Sequence, residues 1–370
     1  MTEQQGRVGA DALRTVTPGT EPVRWLDPRD PVLSWDGTVE LEQVAGGWLP
    51  RRFPGRRVAT TASPGFANLA AMAAGVRFAV RTDAEELLLR LSAAADSAPL
   101  DVRVDGALAH RATLAGEGEL AVPLAPPGTP TVRPAPRHVE VWLPHLGHTR
   151  VAAVGFRGHR TLGPADRSGP RWVAYGSSIT HSMFASGPSE TWTALAAARH
   201  GWRLHNLGFA GEAHLDQVVA QTIRALPADL VSLELGINVY LGESFSARSW
   251  IPAVCGFVDT IREGHPDLPL AVITPLSSPT RERVPNRVGL TLAQVREHTA
   301  AAVRVLERLG DRNLHVLDGL SLVPAEEAAE LLADGLHPTA EGEHVLADRI
   351  GSALHALLPP SRRAAEPVSR

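Results

Sequence analysis

Cysteine is nearly absent from this chain, which has one cysteine in 370 residues. A single cysteine excludes an internal disulfide framework and a metal site built from several thiolates. Because Cys255 lies in an apolar run at 251–258, we expect it to be a small buried side chain. No pair of histidines has the spacing of a zinc-binding helix, and no phosphate-binding Gly-Lys loop is present, so we predict neither a metal nor a nucleotide cofactor.

Long hydrophobic runs and an excess of one charge are also missing. The first twenty residues are polar, without the apolar centre of a secretory signal, and no apolar run reaches the about 18 residues of a membrane span. The 36 basic and 40 acidic side chains nearly cancel, to a formal charge of −4. We therefore expect a cytoplasmic protein that binds neither nucleic acid nor a membrane surface. A homo-oligomer is compatible with this composition.

The first half of the chain has the period of β-strands. Residues 76–81 alternate apolar and polar side chains, which is the pattern of a half-buried strand. The pair Asp105-Gly106 separates two further short runs and predicts a tight hairpin. Several short strands without helical patterns favour an antiparallel β-sandwich over residues 23–160. We expect the polar segment before it, residues 1–22, to be disordered.

The second half alternates strands with helices. Nearly continuous apolar strands separated by helical runs are typical of a parallel sheet covered on both faces. We place this α/β domain at residues 171–358, after a boundary rich in Gly, Pro and Arg at 157–170 and before a polar tail at 359–370. Sites in such sheets form at the carboxyl ends of the strands.

Four short signals follow the strands of this second half in a fixed order. They are Gly176-Ser177-Ser178, Gly208-Phe209-Ala210-Gly211, Gly236-Ile237-Asn238 and Asp334-Gly335-Leu336-His337-Pro338. A serine needs an adjacent base to act as a nucleophile, and an imidazole that titrates near neutral pH suits that role. We therefore pair Ser178 with His337, and Asp334 with the other ring nitrogen. The N–H groups of Ser178 and Gly211 and the amide of Asn238 are candidate donors to an oxyanion.

Each signal taken alone has a simpler explanation. A Gly-Ser-Ser or Gly-Ile-Asn sequence is common in turns, and Asp334-Gly335 can be a plain turn before a helix. The four together, in one order and all at strand ends, favour a catalytic site.

The four blocks resemble those of the SGNH (GDSL) hydrolase superfamily, over residues 171–358. This resemblance implies a flavodoxin-like three-layer α/β domain with a parallel sheet. It also implies a Ser178, His337 and Asp334 triad, an oxyanion hole formed by Ser178, Gly211 and Asn238, and no cofactor or metal.

The chain departs from the superfamily pattern at two positions. Ser177 stands where the first block usually has aspartate, and Val239 follows Asn238 where many members have aspartate. Neither position transfers the proton in the family, so the departures indicate a divergent subgroup. The order of a β-rich region before such a domain resembles the two-domain carbohydrate esterases, including the family-2 acetyl esterases. That resemblance implies a jelly-roll-like sandwich for the first half.

Three more side chains are candidates for contact with the substrate. His181 and His214 each follow a block residue by three positions, and a solvated or helix-capping role is the competing interpretation for both. Arg281 lies in a long loop, 274–289, after the fourth strand of the α/β domain. Loops at this edge usually shape a pocket, although a solvated mobile loop would have the same composition.

Together these features predict a serine esterase that removes a short acyl group, acetyl, from a sugar or a small alcohol. Its partner would be a small-molecule acyl ester. Because an acyl-enzyme can also react with acceptors other than water, an acyltransferase or thioesterase of lipid or secondary metabolism is the enzymatic alternative. The non-enzymatic alternative is a carbohydrate-binding protein on an inert hydrolase fold. The sequence leaves open the acyl length, the alcohol, the role of the β region and the oligomeric state.

Overall fold

The computed structural model describes residues 21–124 and 135–362. The expected disorder of residues 1–20 and the end of the polar tail, from residue 363, lie outside this range. The start of the tail forms a 3₁₀ turn, Pro360–Arg362. Within the described ranges no helix combines the length and the apolar character that crossing a bilayer requires.

The described part of the first half contains twelve strands. They are β1 (Arg24–Leu26), β2 (Ser34–Asp36), β3 (Glu40–Val44), β4 (Gly47–Arg51), β5 (Arg77–Thr82), β6 (Glu86–Ala93), β7 (Leu100–Val104), β8 (Ala107–Ala112), β9 (Gly116–Pro123), β10 (Arg137–Trp142), β11 (Thr149–Arg157) and β12 (Leu162–Pro164). One antiparallel sheet has the order β3-β4-β11-β6-β9, with β1 paired to β11. The other has the order β12-β5-β10-β7-β8, with β2 paired to β5. Apolar side chains from both sheets form one core, which confirms the predicted sandwich.

The predicted hairpin between β7 and β8 is present. Asp105 and Gly106 both have positive φ, 49° and 83°, as the tight turn that matches strand twist requires. The sandwich nevertheless extends beyond residue 160, because β12 pairs with Val80–Thr82 of β5.

The first half also contains two helices that the strand patterns did not predict, α1 (Gly55–Val58) and α2 (Pro64–Ala70). The local signal for α2 is its start. The Ser63 side chain accepts a hydrogen bond from the N–H of Phe66, and Pro64 occupies the first helical position. Both helices are too short to show a helical period in the sequence.

The second half forms the predicted parallel sheet. Its strands are β13 (Arg171–Gly176), β14 (Arg203–Gly208), β15 (Leu230–Glu234), β16 (Leu270–Ile273) and β17 (Leu314–Leu317). They lie in the order β14-β13-β15-β16-β17, with every pairing parallel. This flavodoxin-like order reverses direction at β13, so the crevice beside the ends of β13 and β15 is the expected binding position.

Nine helices accompany the sheet in the described residues. They are α3 (Ser178–His181), α4 (Trp192–His200), α5 (Gln217–Ala225), α6 (Ile237–Gly242), α7 (Ala247–Arg262), α8 (Leu292–Arg308), α9 (Gly319–Leu322), α10 (Ala328–Leu331) and α11 (Ala340–Leu357). Helix α4 packs against α11, and α7 packs against both α5 and α8. Cys255, on α7, is half-buried rather than buried, and it packs at the edge of the core.

The sandwich packs directly onto the α/β domain. Phe53 and Trp142 of the first half belong to the same hydrophobic core as Trp172 of the sheet. Arg52 is buried in this contact, where its guanidinium donates to the carbonyls of Leu69, Met72 and Asn206. Burial lowers the pKa of Arg52 to about 9. The core of the α/β domain therefore extends into the first half of the chain, beside the separate core of the sandwich.

Candidate active site

The turn after β13 holds Ser178 at the carboxyl edge of the sheet. Ser177 starts α3, and its side chain accepts the N–H of Ile179 at 3.1 Å. Ser178 is the first residue of α3, where a backbone N–H has no partner within the helix. Gly208, at the end of β14, passes so close that an added Cβ would overlap the backbone of His181. Only glycine allows this approach.

Ser178, His337 and Asp334 lie in one hydrogen-bonded row. The Oγ atom of Ser178 is 2.8 Å from Nε2 of His337, and Nδ1 of His337 is 2.7 Å from Oδ2 of Asp334. Ser178 is 5% exposed, and the Asp334 side chain is 51% exposed. The fold thus joins a serine and a histidine separated by 159 positions.

The loop that carries Asp334 is held together by hydrogen bonds between its own residues. Its Oδ1 accepts the N–H groups of Leu336 and His337 at 3.0 and 2.8 Å, and the N–H of Ala333 donates to the carbonyl of His337. Burial raises the pKa of Asp334, but hydrogen bonds from the backbone and ring of His337 outweigh it, and the pKa lies below its usual value. Asp334 is therefore an anion at neutral pH, as a partner for an imidazolium must be.

Asn238 and Gly211 face the same edge from the neighbouring strands. Asn238 is buried near the start of α6, and its Oδ1 accepts the N–H of Ala213 at 3.2 Å. Its Nδ2 donates to no residue in the described ranges and remains available to a ligand. Gly211 lies on an exposed turn with a φ of 75°, which favours glycine.

His214 supports this turn. Its Nε2 is 3.0 Å from the carbonyl oxygen of Gly211, and its Nδ1 is 2.8 Å from Oγ of Ser244, just beyond α6. Both ring nitrogens are therefore engaged within the protein. The structure shows a link between two loops of the site, and the predicted contact with substrate remains a prediction.

Arg281 reaches the site through one intermediary. Its Nη1 donates to Oγ of Ser278 at 2.9 Å, and that hydroxyl donates to the carbonyl of Gly335 at 2.8 Å. The loop also contacts the other side of the site, because the hydroxyl of Tyr240 donates to the carbonyl of Val284. The loop after β16 thus spans from the Asp334 loop to α6, and substrate contact by Arg281 remains a prediction.

His181 is buried between the turn of Ser178 and the first half of the chain, and its predicted contact with substrate remains a prediction. The residue has no exposed surface, and its Nε2 lies 2.7 Å from the carbonyl oxygen of His145 in the sandwich. It ends the single turn of α3 and points back toward the first half of the chain. Burial, with a smaller contribution from Arg52, lowers the pKa of His181 to about 3, so the ring is neutral.

Two residues near the serine were not found from the sequence. Phe184 is 57% exposed, and its ring centre lies 4.8 Å from that of His337. In the sequence, Phe184 stands out only as one aromatic residue in a polar segment. Glu234 is buried beneath the turn of Ser177. Its signal was clearer, since a charged residue inside an apolar strand covered on both faces is unusual.

No group of three or more His, Cys, Asp or Glu residues in the described ranges is arranged to hold a metal ion. The histidine and aspartate nearest to Ser178 are instead joined to it by hydrogen bonds, in the row Ser178, His337 and Asp334.

Two family models match the two halves. The GDSL-like lipase/acylhydrolase family matches residues 174–345, and the N-terminal domain of SsfX3 matches residues 33–151. No curated protein sequence matches the chain.

Solved structures match both halves together. The chain is 34% identical to a salicylyl-acyltransferase, SsfX3, from a tetracycline biosynthetic pathway, with a TM-score of 0.81 over 91% of this chain and 98% of that one. A family two carbohydrate esterase from Cellvibrio japonicus is 12% identical, with a TM-score of 0.62 over 91% and 98% of the two chains. One from Clostridium thermocellum, in complex with cellohexaose, is also 12% identical, with a TM-score of 0.62 over 76% and 92%. The likeness to the two esterases shows the fold alone.

Because Gly208 lies so close to α3, we expect a side chain at this position to destabilise the protein. Replacing Gly208 with Ala forces the backbone of α3 to move, and we expect the free energy of unfolding to fall by about 1–3 kcal/mol. Gly256→Ala is the matched control, because nothing lies near its Cβ position within α7, and a helical alanine is favoured by about 1 kcal/mol. Urea denaturation of both variants measures the difference. Equal unfolding free energies for the two variants would contradict the tight packing at Gly208.

Proposed function

The chain belongs to the GDSL-like lipase/acylhydrolase family, and from that premise we propose that it acts on carboxylic esters through an acyl-enzyme on Ser178. The observation that carries this proposal is the unbroken row from Ser178 Oγ through His337 to Asp334, with distances of 2.8 and 2.7 Å. Both lie within the range in which a base can take the proton of a nucleophile and be oriented by a third group.

The first half-reaction forms the acyl-enzyme. Oγ of Ser178 attacks the ester carbonyl carbon while Nε2 of His337 takes the hydroxyl proton. The tetrahedral intermediate collapses when its bond to the alcohol oxygen breaks, and the imidazolium gives its proton to that leaving oxygen. Asp334 accepts the Nδ1 proton in a hydrogen bond throughout, which fixes the tautomer and stabilises the imidazolium.

The negative oxygen of the intermediate needs donors in place before the reaction. The N–H of Ser178, at the start of α3, the N–H of Gly211 and Nδ2 of Asn238 are the proposed set. The bond from Ala213 to Oδ1 of Asn238 supports this role, because it occupies the amide oxygen and leaves the amide nitrogen as the group free to donate. Donors that are already oriented stabilise the developing charge without reorganisation.

The second half-reaction regenerates the free enzyme. An acceptor hydroxyl loses its proton to His337 as its oxygen attacks the acyl carbon, and Ser178 leaves with the proton from His337. Water as the acceptor gives the hydrolysis of a short acyl ester, such as an acetylated sugar or small alcohol. This reaction is our first candidate.

Transfer of an aromatic acyl group is the second candidate. Phe184 supports it, because its exposed ring lies beside His337 where an aromatic group can stack. The relative at 34% identity is named a salicylyl-acyltransferase and matches nearly the whole chain. The acceptor in this case would be a second hydroxyl compound.

The proposed mechanism predicts that Ser178→Ala lowers activity more than Asn238→Ala does. Ser178→Ala removes the nucleophile and should leave no measurable turnover of a nitrophenyl acyl ester. Asn238→Ala removes one oxyanion donor and should lower kcat by about 100- to 1,000-fold. Asn313→Ala, at the opposite end of the sheet in front of β17, is the control and should keep full activity. Steady-state rates measure all three, and wild-type activity in Ser178→Ala would refute the mechanism.

A series of nitrophenyl esters from acetyl to octanoyl, together with benzoyl and 2-hydroxybenzoyl, separates the two candidates. If aromatic acyl groups stack on Phe184, Phe184→Ala should lower kcat/KM for benzoyl esters by about 5- to 10-fold, the worth of one aromatic contact. Turnover of the acetyl ester should change little. Leu309→Ala, which also removes an exposed apolar side chain but far from the serine, is the control. A strong preference for acetyl, unchanged in Phe184→Ala, would favour the short-acyl esterase and contradict the aromatic candidate.

A further inference from the structure

A buried carboxyl group lies directly beneath the nucleophile turn. Oε2 of Glu234, at the end of β15, accepts the N–H of Ser177 at 2.7 Å and the hydroxyl of Ser177 at 2.6 Å. It also accepts the hydroxyl of Thr180 at 3.3 Å. Glu234 is 2% exposed. One oxygen atom therefore contacts both ends of the short helix that begins with Ser178.

This arrangement is costly for a residue with only a packing role. The pKa of Glu234 lies above its usual value, because burial raises it by more than the hydrogen bonds from Ser177 and Thr180 lower it. Its second oxygen, Oε1, is buried without a hydrogen-bond partner in the described ranges. No arginine or other cation in the described residues forms an ion pair with it. An apolar or amide side chain would occupy the same position at lower cost.

The cation that does act on Glu234 belongs to the proposed reaction. A positive charge on His337 is the smallest of the effects on the pKa of Glu234, and it lowers that pKa. Linkage is reciprocal, and a negative Glu234 therefore stabilises a positive His337. The other titratable groups at this place are Asp334, bonded to His337, and Tyr175, whose burial above all raises the pKa of its phenol.

The sequence pattern points to the same residue. The first block has Ser177 in place of the aspartate that is usual in the superfamily, so the turn itself carries no charge. Glu234 brings a carboxylate to Ser177 from the neighbouring strand instead.

We propose that Glu234 is a positioning residue for acyl transfer, which fixes the Ser177–Thr180 turn through three hydrogen bonds and stabilises the imidazolium of His337 through its buried charge. The proposal rests on the acyl-enzyme function of Ser178. Glu234 itself does not touch the substrate. It acts as a second anion behind the serine, whereas Asp334 acts on the imidazole directly.

The test is the pH dependence of kcat/KM for a nitrophenyl ester in Glu234→Gln. Glutamine keeps an oxygen acceptor for Ser177 but removes the charge, so the imidazolium becomes less stable. We expect the acidic limb of the profile to move to lower pH by about 0.5–1 unit, and kcat/KM on the plateau to fall about 10-fold or more. A merely structural role would lower the plateau and leave the limb in place.

Glu343→Gln is the control for replacing a buried carboxyl group by an amide, because burial raises the pKa of Glu343 to about 8. Glu343 is a second buried carboxyl near the turn, and its Oε2 accepts the N–H of Trp192 at 2.6 Å. It is not bonded to Ser177 or Thr180. Its loss should leave the acidic limb within about 0.2 unit of wild type. A limb that moves equally in both variants would overturn the assignment to Glu234.

The double variant Ser177→Asp/Glu234→Gln keeps the test valid if Glu234→Gln does not fold. It returns one carboxylate to the turn from the position that is usual in the superfamily. We expect a folded protein whose acidic limb lies near that of wild type. A folded double variant whose acidic limb is displaced overturns the proposal, and so does a folded Glu234→Gln variant whose limb has not moved. In both cases ester turnover by the wild-type protein still supports the proposed function. A wild-type protein without ester turnover overturns both.

Discussion

The single helical turn after β13 is the constraint on which the rest of the site depends. Buried polar groups hold it from several sides. Asn206 of β14 donates to the carbonyl of Thr180 at 2.8 Å, the indole N–H of Trp192 donates to the carbonyl of Ile179 at 2.8 Å, and Glu234 accepts from the start of the turn. Each bond satisfies a group that would be costly to bury alone. With the turn held in this way, the Oγ atom of Ser178 lies 2.8 Å from Nε2 of His337.

The β-sandwich contributes to the same constraint. Its His145 carbonyl accepts from the ring of His181, the last residue of the turn, at 2.7 Å. Further along, Asp101 of β7 accepts the N–H and hydroxyl of Ser189 at 3.1 and 2.7 Å, while Arg111 of β8 binds the same carboxylate. The sandwich is therefore part of the wall behind the nucleophile.

The sequence predicted most of the fold because its signals are local. The hairpin at Asp105 and the apolar strands could be predicted from the sequence, and so could the convergence of distant blocks on one sheet edge. The features that the sequence did not predict depend on tertiary contacts. A histidine three residues after a serine can face a pocket or a neighbouring domain, and only the packing of the sandwich shows that His181 is buried. Phe184 and Glu234 have functional interest only because of what lies 3–5 Å away, which no spacing in the sequence encodes.

An acyl-enzyme on Ser178 requires an activated serine, and labelling with a fluorophosphonate, which reacts only with such a serine, tests this most directly. Intact mass and peptide mapping after incubation with the wild-type protein should show one adduct, on Ser178, and His337→Ala should react far more slowly. An absence of labelling under conditions that modify a known serine esterase, or an adduct on another serine, would contradict the account.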